Sequence, residues 1–269
     1  MRHLPDRREF IETPRASAAS PLPSALMSTS HAVVTGASGA IGSACVRLLH
    51  ERGWEVTGID VAHPPSGLEC VSWHMADVRD REALGKVAEQ TGPVKLLING
   101  AGFGDRAPAA EMTVEQWQSV LDVCLTGTFM TSQAFYPNLC RAQGAVVMNI
   151  ASLAAQRSCA LHANYCAAKA GVESLTQVLA LEWAADQIRV IAVSPGVVNT
   201  PIVRKNMAPG SAREKAIIRM TPLGRLFGPD ELARLILAYC SDDFSHVTGS
   251  TLVADGGFAT AGGLPQFYD

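Results

Sequence analysis

A single-domain α/β fold is predicted, with a doubly wound parallel sheet of about seven strands and helices on both faces, and three features of the sequence predict it. Short β-branched runs alternate with amphipathic stretches from His31 onward. Runs such as "LLIN" and "VVMNI" are apolar without polar alternation, as strands buried on both faces must be. A glycine-rich turn closes the first run and opens a helical pattern.

In chain order, "HAVVTG" reads as the first strand and the stretch up to Arg52 as its helix. The runs "WEVTGID", "CVSWHMADV", "VKLLINGAG", "GAVVMNIAS" and "IRVIAVSPG" follow, each trailed by helical periodicity. Val172, Leu175, Leu179 and Trp183 recur at spacings of three, four and four, which predicts a helix over 163–184. On that helix Tyr165 and Lys169, four positions apart in "NYCAAKAG", share a face. No internal repeat or low-complexity tract appears after residue 30.

The 269 residues are 48% hydrophobic and 17% charged with a net charge of -3, so no basic surplus exists to hold a phosphate backbone. Nucleic acid is excluded as an expected partner. Absence of an apolar run of about 20 residues excludes a membrane span on the same footing. Seven cysteines, Cys45, Cys70, Cys124, Cys140, Cys159, Cys166 and Cys240, are scattered without a CxxC pair, so no metal site or disulfide framework is expected. A cytoplasmic setting follows. Residues 1–30 mix Arg with acids and prolines and read as a flexible extension, or as translation from a start upstream of Met27, leaving 31–269 as the domain.

The turn "TGASGAIG" carries Gly36, Gly39 and Gly42, with Ser38 and Ile41 between them. Glycines there let the backbone approach a pyrophosphate, whose charge suits the free N–H groups of a helix N-terminus; a tight strand–helix connection would also need them. Asp60, with Val61 beside it, ends the second strand eighteen residues past Gly42, where a carboxylate accepts hydrogen bonds from ribose hydroxyls. It repels a 2′-phosphate. With His63 as the one nearby candidate cation, NAD is expected in preference to NADP. Asp77, next to Val78, could as well be a helix N-cap, and is read as an adenine contact because Asp60 already places the cofactor.

Taken in order, these motifs resemble the short-chain dehydrogenase/reductase family, in its single-domain branch, from roughly residue 31 to 257. "TGASGAIG" is similar to the family's TGxxx[AG]xG loop, with Ala40 where glycine is more frequent. "NGAG" at 99–102 resembles its NNAG strand end and "YCAAK" its YxxxK, while Ser152, thirteen residues before Tyr165, matches its serine. The resemblance implies a Rossmann-type fold, a nicotinamide cofactor touched by Asn99, Ala101, Gly102, Tyr165 and Lys169, and a catalytic set of Ser152, Tyr165 and Lys169. It also implies that "SPGVVNT" sets Pro195 and Gly196 beside the cofactor and Val198 and Thr200 at the nicotinamide carboxamide. "STLVADGGF" looks like the last strand, and a homotetramer or homodimer is implied, with the tail to Asp269 against a neighbour.

Two positions depart from the pattern. Gly100 replaces the second Asn of NNAG, removing an amide that ties strands together in relatives and so loosening the strand end. Cys124 stands in "DVCLTGTF" where relatives carry an Asn that holds a helix turn open for a water chain to the lysine. On this sequence Cys124 is expected to be a small buried hydrophobe on the apolar side of its helix, near Trp117, Val120, Leu121 and Thr128.

The chemistry implied is transfer of a hydride between a secondary alcohol or ketone and NAD, with Tyr165 moving the proton. Bringing a phenol from about 10 to neutrality needs about 4 kcal/mol; an ammonium about 4 Å away supplies that at an effective dielectric of 20 and only about 1 kcal/mol in water. Burial decides the matter. Ser152 would hold the substrate oxygen, and His162 reads as a helix-start or pocket-wall residue. Isolated, each has a plainer counterpart: a turn-forming serine, or a Tyr–Lys pair on a helix surface. A nucleotide-binding scaffold without turnover is the alternative from another class, and Cys124 is the residue in its favour. An epimerase or dehydratase that uses NAD transiently would need a longer substrate domain. Between Thr200 and Phe227, Pro201, Pro209, Gly210, Pro222 and Gly224 interrupt short helices, as in a mobile cover. Six cations there, Arg204, Lys205, Arg213, Lys215, Arg219 and Arg225, face Glu214 alone, and with Arg106 and Arg157 they raise an anionic substrate as one reading against solvated surface.

Overall fold

The structure, a computed structural model, describes residues 30–68 and 71–261. The expected N-terminal extension, Cys70 and the tail beyond 261 lie outside the described residues. Strands β1 (His31–Thr35), β2 (Glu55–Asp60), β3 (Ser72–Met75), β4 (Leu96–Asn99), β5 (Val146–Ile150), β6 (Arg189–Pro195) and β7 (Thr251–Ala254) form one parallel sheet. Their order is β3-β2-β1-β4-β5-β6-β7. The third strand is shorter than the run "CVSWHMADV" suggested, because pairing with β2 covers only Ser72–Met75. The helices are α1 (Ala40–Glu51), α2 (Arg81–Gln90), α3 (Val114–Leu121), α4 (Gly127–Cys140), α5 (Ala163–Trp183), α6 (Pro201–Asn206), α7 (Ala212–Met220) and α8 (Pro229–Tyr239).

Period-two side-chain alternation divides the core between the two faces of the sheet. Ala32 and Val34 of β1, Leu96 and Ile98 of β4, and Val146 and Met148 of β5 pack with α1 and α8. Val33, Leu97, Val147 and Val190 point the other way, against α2, α4 and α5. Both faces are thus covered, which is why these strands tolerate no polar alternation.

β1 pairs with β2 on one side and β4 on the other, so the chain reverses its direction of travel across the sheet at that point. A crevice opens there above the strand C-termini. The loops after β1, β4, β5 and β6, which carry nearly every motif residue, converge on that rim. A hollow of about 350 Å³ lined by His31, His50, Trp54, Glu55 and His74 lies instead where β1 to β3 begin, away from Tyr165.

Candidate active site

The glycine turn has the conformation that a close-approaching ligand requires. Gly36 sits at φ 65°, and a Cβ there would stand 2.7 Å from Ala101 N and from the carbonyl of Gly100. At Gly42 it would fall 2.1 Å from the Gly36 oxygen. Side chains at either position are excluded by backbone. α1 begins at Gly39 with no side-chain cap and no acidic residue in its first turn, whereas Asp80, Thr113, Thr200 and Ser211 cap α2, α3, α6 and α7. Its terminal amides, those of Ile41 and Gly42 among them, therefore keep their donors for an anion. That arrangement fits the pyrophosphate of a dinucleotide.

Asp60 ends β2 beside this turn. Its carboxylate accepts from Ser38 N and from Ala62 N, both at 2.9 Å, which fixes it at the crevice edge. His63 is exposed, and among the described residues no cation pairs with Asp60, while Val61 is exposed. Asp77 follows β3 but does not cap α2; Asp80 does, accepting from Ala83 N at 3.0 Å. The N-cap reading of Asp77 is corrected accordingly. The Arg79 guanidinium, 2.6 Å away, and the Arg79 backbone N–H hold its carboxyl below the usual range. Neighbouring Val78 is buried against Gly127.

At the end of β4, the loosening expected from Gly100 does not occur. The Gly100 N–H donates to the carbonyl and the hydroxyl of Thr35, both at 3.2 Å, and Ala101 N reaches the same hydroxyl at 3.4 Å. A Cβ at Gly100 would stand 2.8 Å from Thr35 O, so glycine lets β1 and β4 close directly. Asn99 turns inward: its Nδ2 donates to Ser132 Oγ and to Asn149 Oδ1, both at 2.9 Å. Ser132 passes on to Thr128 O at 2.7 Å and Thr128 to Cys124 O at 2.9 Å, while Asn149 donates to Thr176 at 2.9 Å. A buried ladder of polar side chains thus joins α4, β4, β5 and α5. It holds Asn99 behind the rim, facing the helices.

The turn that Ser152 opens packs against α5, the helix that carries Tyr165 and Lys169. Ser152 caps the short turn Leu153–Ala155, its Oγ accepting from Ala154 N at 3.1 Å. The turn-forming role is real, and it leaves the hydroxyl proton free. Tyr165 lies half-buried in the first turn of α5, and its hydroxyl makes no hydrogen bond among the described residues. Lys169 is 4% exposed; its Nζ donates to Ile150 O at 2.6 Å and lies 5.7 Å from the Tyr165 ring centroid. The cation is therefore removed from bulk water, the condition under which it acts strongly on a phenol. Gly102 stands over it, where a Cβ would lie 3.6 Å from Nζ and 3.2 Å from Cys124 Sγ.

Cys124 is fully buried with Val120 and Ala168, and donates its thiol to Phe103 O at 3.3 Å. Trp117, by contrast, is 36% exposed and lies outside that cluster. The helix turn around Cys124 is open nonetheless: Asp122–Thr126 is π-helical, with Gly127 N bonded to Asp122 O. An amide side chain is not needed to keep it so. His162 is the N-cap residue of α5 and directs Nδ1 to Ala160 O at 3.0 Å, away from a proton-carrying role.

β6 supplies the opposite wall. Pro195 ends it, Gly196 N donates to Ala254 O at 3.0 Å, and a Cβ at Gly196 would stand 2.9 Å from Asp255 Cα. Val198 is buried and bridges to Phe227, and Thr200 caps α6. The stretch 201–220 holds two short helices, as the prolines suggested, and Arg204 joins them through Glu214 at 2.6 Å. One residue that sequence reasoning missed is Glu173, one turn beyond Lys169 on α5. A single oxygen of it accepts from Ser194 Oγ at 2.6 Å and Gln156 Nε2 at 3.0 Å, tying the Ser152 turn to β6. Spacing from Lys169 alone offers only a weak signal for that role.

Comparison with known proteins gives a consistent result. The family model described as enoyl-(acyl carrier protein) reductase matches residues 36–259. D-threitol dehydrogenase of Mycolicibacterium smegmatis is 34% identical over 242 residues, covering 84% of this chain and 92% of its own. Acetoacetyl-CoA reductase of Shinella zoogloeoides is 35% identical over 235 residues, covering 84% and 97%. Among solved structures, aldohexose dehydrogenase of Thermoplasma acidophilum superposes with a TM-score of 0.80 at 26% identity, over 86% of this chain and 94% of that one.

Proposed function

The chain belongs to the short-chain dehydrogenase/reductase family and is an oxidoreductase; from that premise we propose that it interconverts a secondary alcohol and a ketone with NAD, using Tyr165 as general acid/base. The observation that carries the reading is the buried Lys169 ammonium beside the Tyr165 ring, whose hydroxyl has no hydrogen-bond partner among the described residues.

A nicotinamide dinucleotide bound in the crevice supplies the hydride donor or acceptor. Gly36, Ser38, Gly39, Ile41 and Gly42 would hold its phosphates; Asp60, Val61, Asp77 and Val78 its adenosine half; Ala101, Gly102, Tyr165, Lys169, Pro195, Gly196, Val198 and Thr200 its other half, with Asn99 contributing only its backbone, since its side chain is spent on Ser132 and Asn149. Ser152 orients the substrate oxygen with the proton that Ala154 N–H leaves available. Tyr165 Oη takes or returns the proton of that oxygen. Lys169 retains two N–H donors after Ile150 and steadies charge on the phenol. Asp60 favours NAD because its carboxylate, already fixed by two backbone amides, cannot swing away from a 2′-phosphate.

Initial rates over a panel of secondary alcohols with NAD and NADP test the reading, following absorbance of the reduced cofactor. Turnover with NAD supports it; tight NAD binding with no turnover on any alcohol or ketone, unchanged in Cys124→Asn, supports the scaffold alternative. A small-molecule alcohol or ketone, a homotetramer or homodimer, and a cytoplasmic setting complete the proposal.

A further inference from the structure

Tyr165, Lys169 and Glu173 follow one another at steps of four on α5, and we propose that Glu173 is a positioning residue. It fixes the Ser152 turn against the Pro195–Gly196 segment, and so sets the anchor of the substrate oxygen relative to the nicotinamide half of the cofactor. The inference rests on the alcohol–ketone reading of the site and adds a residue to it.

The Ser152 turn is closed by its own hydrogen bonds. Ser152 Oγ accepts from Ala154 N at 3.1 Å, Ser152 O from Ala155 N at 2.9 Å, and Leu153 O from Gln156 N at 3.0 Å and from Arg157 N at 2.8 Å. Its start is fastened to β6, because Ala151 N donates to Val193 O at 2.8 Å. Its end is fastened to the same strand through a side chain of α5: Gln156 Nε2 donates to Glu173 Oε1 at 3.0 Å, and Ser194 Oγ donates to that same oxygen at 2.6 Å. Arg157 holds a different segment, donating to Ala259 O at 2.8 Å.

Of the two bonds to Glu173, the one from Ser194 is the shorter and comes from a fully buried donor. Ser194 immediately precedes Pro195 and Gly196, the stretch assigned above to the nicotinamide half. Gly196 itself lies so near Asp255 that a side chain has no place there. The segment is thus backed by Asp255 at one residue and by Glu173 at another.

Glu173 is half-buried, and among the described residues no cation forms an ion pair with it. A carboxylate so placed depends on hydrogen-bond donors, and two neutral ones meet at a single oxygen. α5 thereby fastens both strand ends that flank the reaction: Lys169 reaches Ile150 O at the end of β5, and Glu173 reaches Ser194 near the end of β6. Glutamine at 173 keeps a carbonyl oxygen with two lone pairs and can accept both bonds, whereas alanine accepts neither.

The test titrates the full chain calorimetrically with NADH and with ADP-ribose, which lacks the nicotinamide, and follows turnover of the secondary-alcohol panel at saturating NAD. Glu173→Ala weakens NADH about ten-fold and lowers kcat about ten-fold or more, while ADP-ribose binding stays within about two-fold. Glu173→Gln returns NADH affinity to within about two-fold of the unaltered protein. Ser194→Ala weakens NADH in the same direction, and adding it to Glu173→Ala changes little further, since both remove one bond. Where Glu173→Ala fails to fold, Ser194→Ala is judged by the same contrast of ligands. Unchanged NADH affinity in the folded variants, equal loss of both ligands, or a Glu173→Gln protein as impaired as Glu173→Ala overturns the inference. Any of these in a chain that turns over alcohols leaves the oxidoreductase reading intact; selective loss of NADH in a chain that turns over no alcohol or ketone does the reverse. Absence of NADH binding by the unaltered protein overturns both.

Discussion

The Lys169 ammonium donates a 2.6 Å hydrogen bond to the Ile150 carbonyl, anchoring a cation of α5 to the end of β5 just before Ser152. The bond fixes where the charge sits beneath Tyr165. Tyr165→Phe removes the proton carrier without touching that anchor, so kcat falls by about 10²–10⁴-fold while the melting temperature stays within a few degrees. Undiminished turnover in a folded Tyr165→Phe protein would overturn the assignment.

Gly42→Ala puts a methyl group where Gly36 O already lies, at 2.1 Å. Backbone cannot yield as a flexible side chain would. Urea denaturation should show a loss of more than about 3 kcal/mol, and titration calorimetry a loss of dinucleotide binding at temperatures where the protein remains folded.

Asp60→Asn keeps an amide oxygen for a backbone N–H but removes the charge that opposes a 2′-phosphate. The ratio of kcat/KM for NADP to that for NAD rises by about ten-fold or more. An unchanged ratio would mean that cofactor choice is made elsewhere.

Glu214 links α6 and α7, accepting from Gly210 N and from Arg204; these bonds, the backbone one foremost, hold its carboxyl below the usual range. Because the folded state has the lower value, the link is in full force above the unfolded carboxyl's range and is lost as pH falls through the folded one. Protection factors for hydrogen exchange over 201–220, referenced to the intrinsic rates at each pH, should therefore fall on acidification below about pH 4.5, ahead of those of the sheet. Glu214→Gln should show fast exchange already at neutral pH.

Elements with a strong local signature were legible in the sequence. The strands declared themselves by apolar runs, α5 by the Val172 to Trp183 spacing, and the glycine turn by residues that nothing else can replace. Tyr165 and Lys169 share a face, as one helical turn dictates. What escaped depends on partners distant in the chain. The cap of α2 is a local exception: the helix starts at Arg81, so Asp80 caps it while Asp77 binds Arg79. Thr35 compensates for Gly100 across 65 positions of sequence, and Glu173 meets Ser194 across 21. The π-helical turn at Cys124 likewise follows from packing, which no single-residue propensity encodes.

The ladder from Cys124 O through Thr128, Ser132, Asn99 and Asn149 to Thr176 binds two strands and two helices by groups that have no water to fall back on. Opening any rung would strand its neighbours in a dry interior, so the four elements must melt as one cooperative block. Thermal fluctuations are thereby diverted to the periphery, and the geometry around Tyr165 persists until the whole domain gives way.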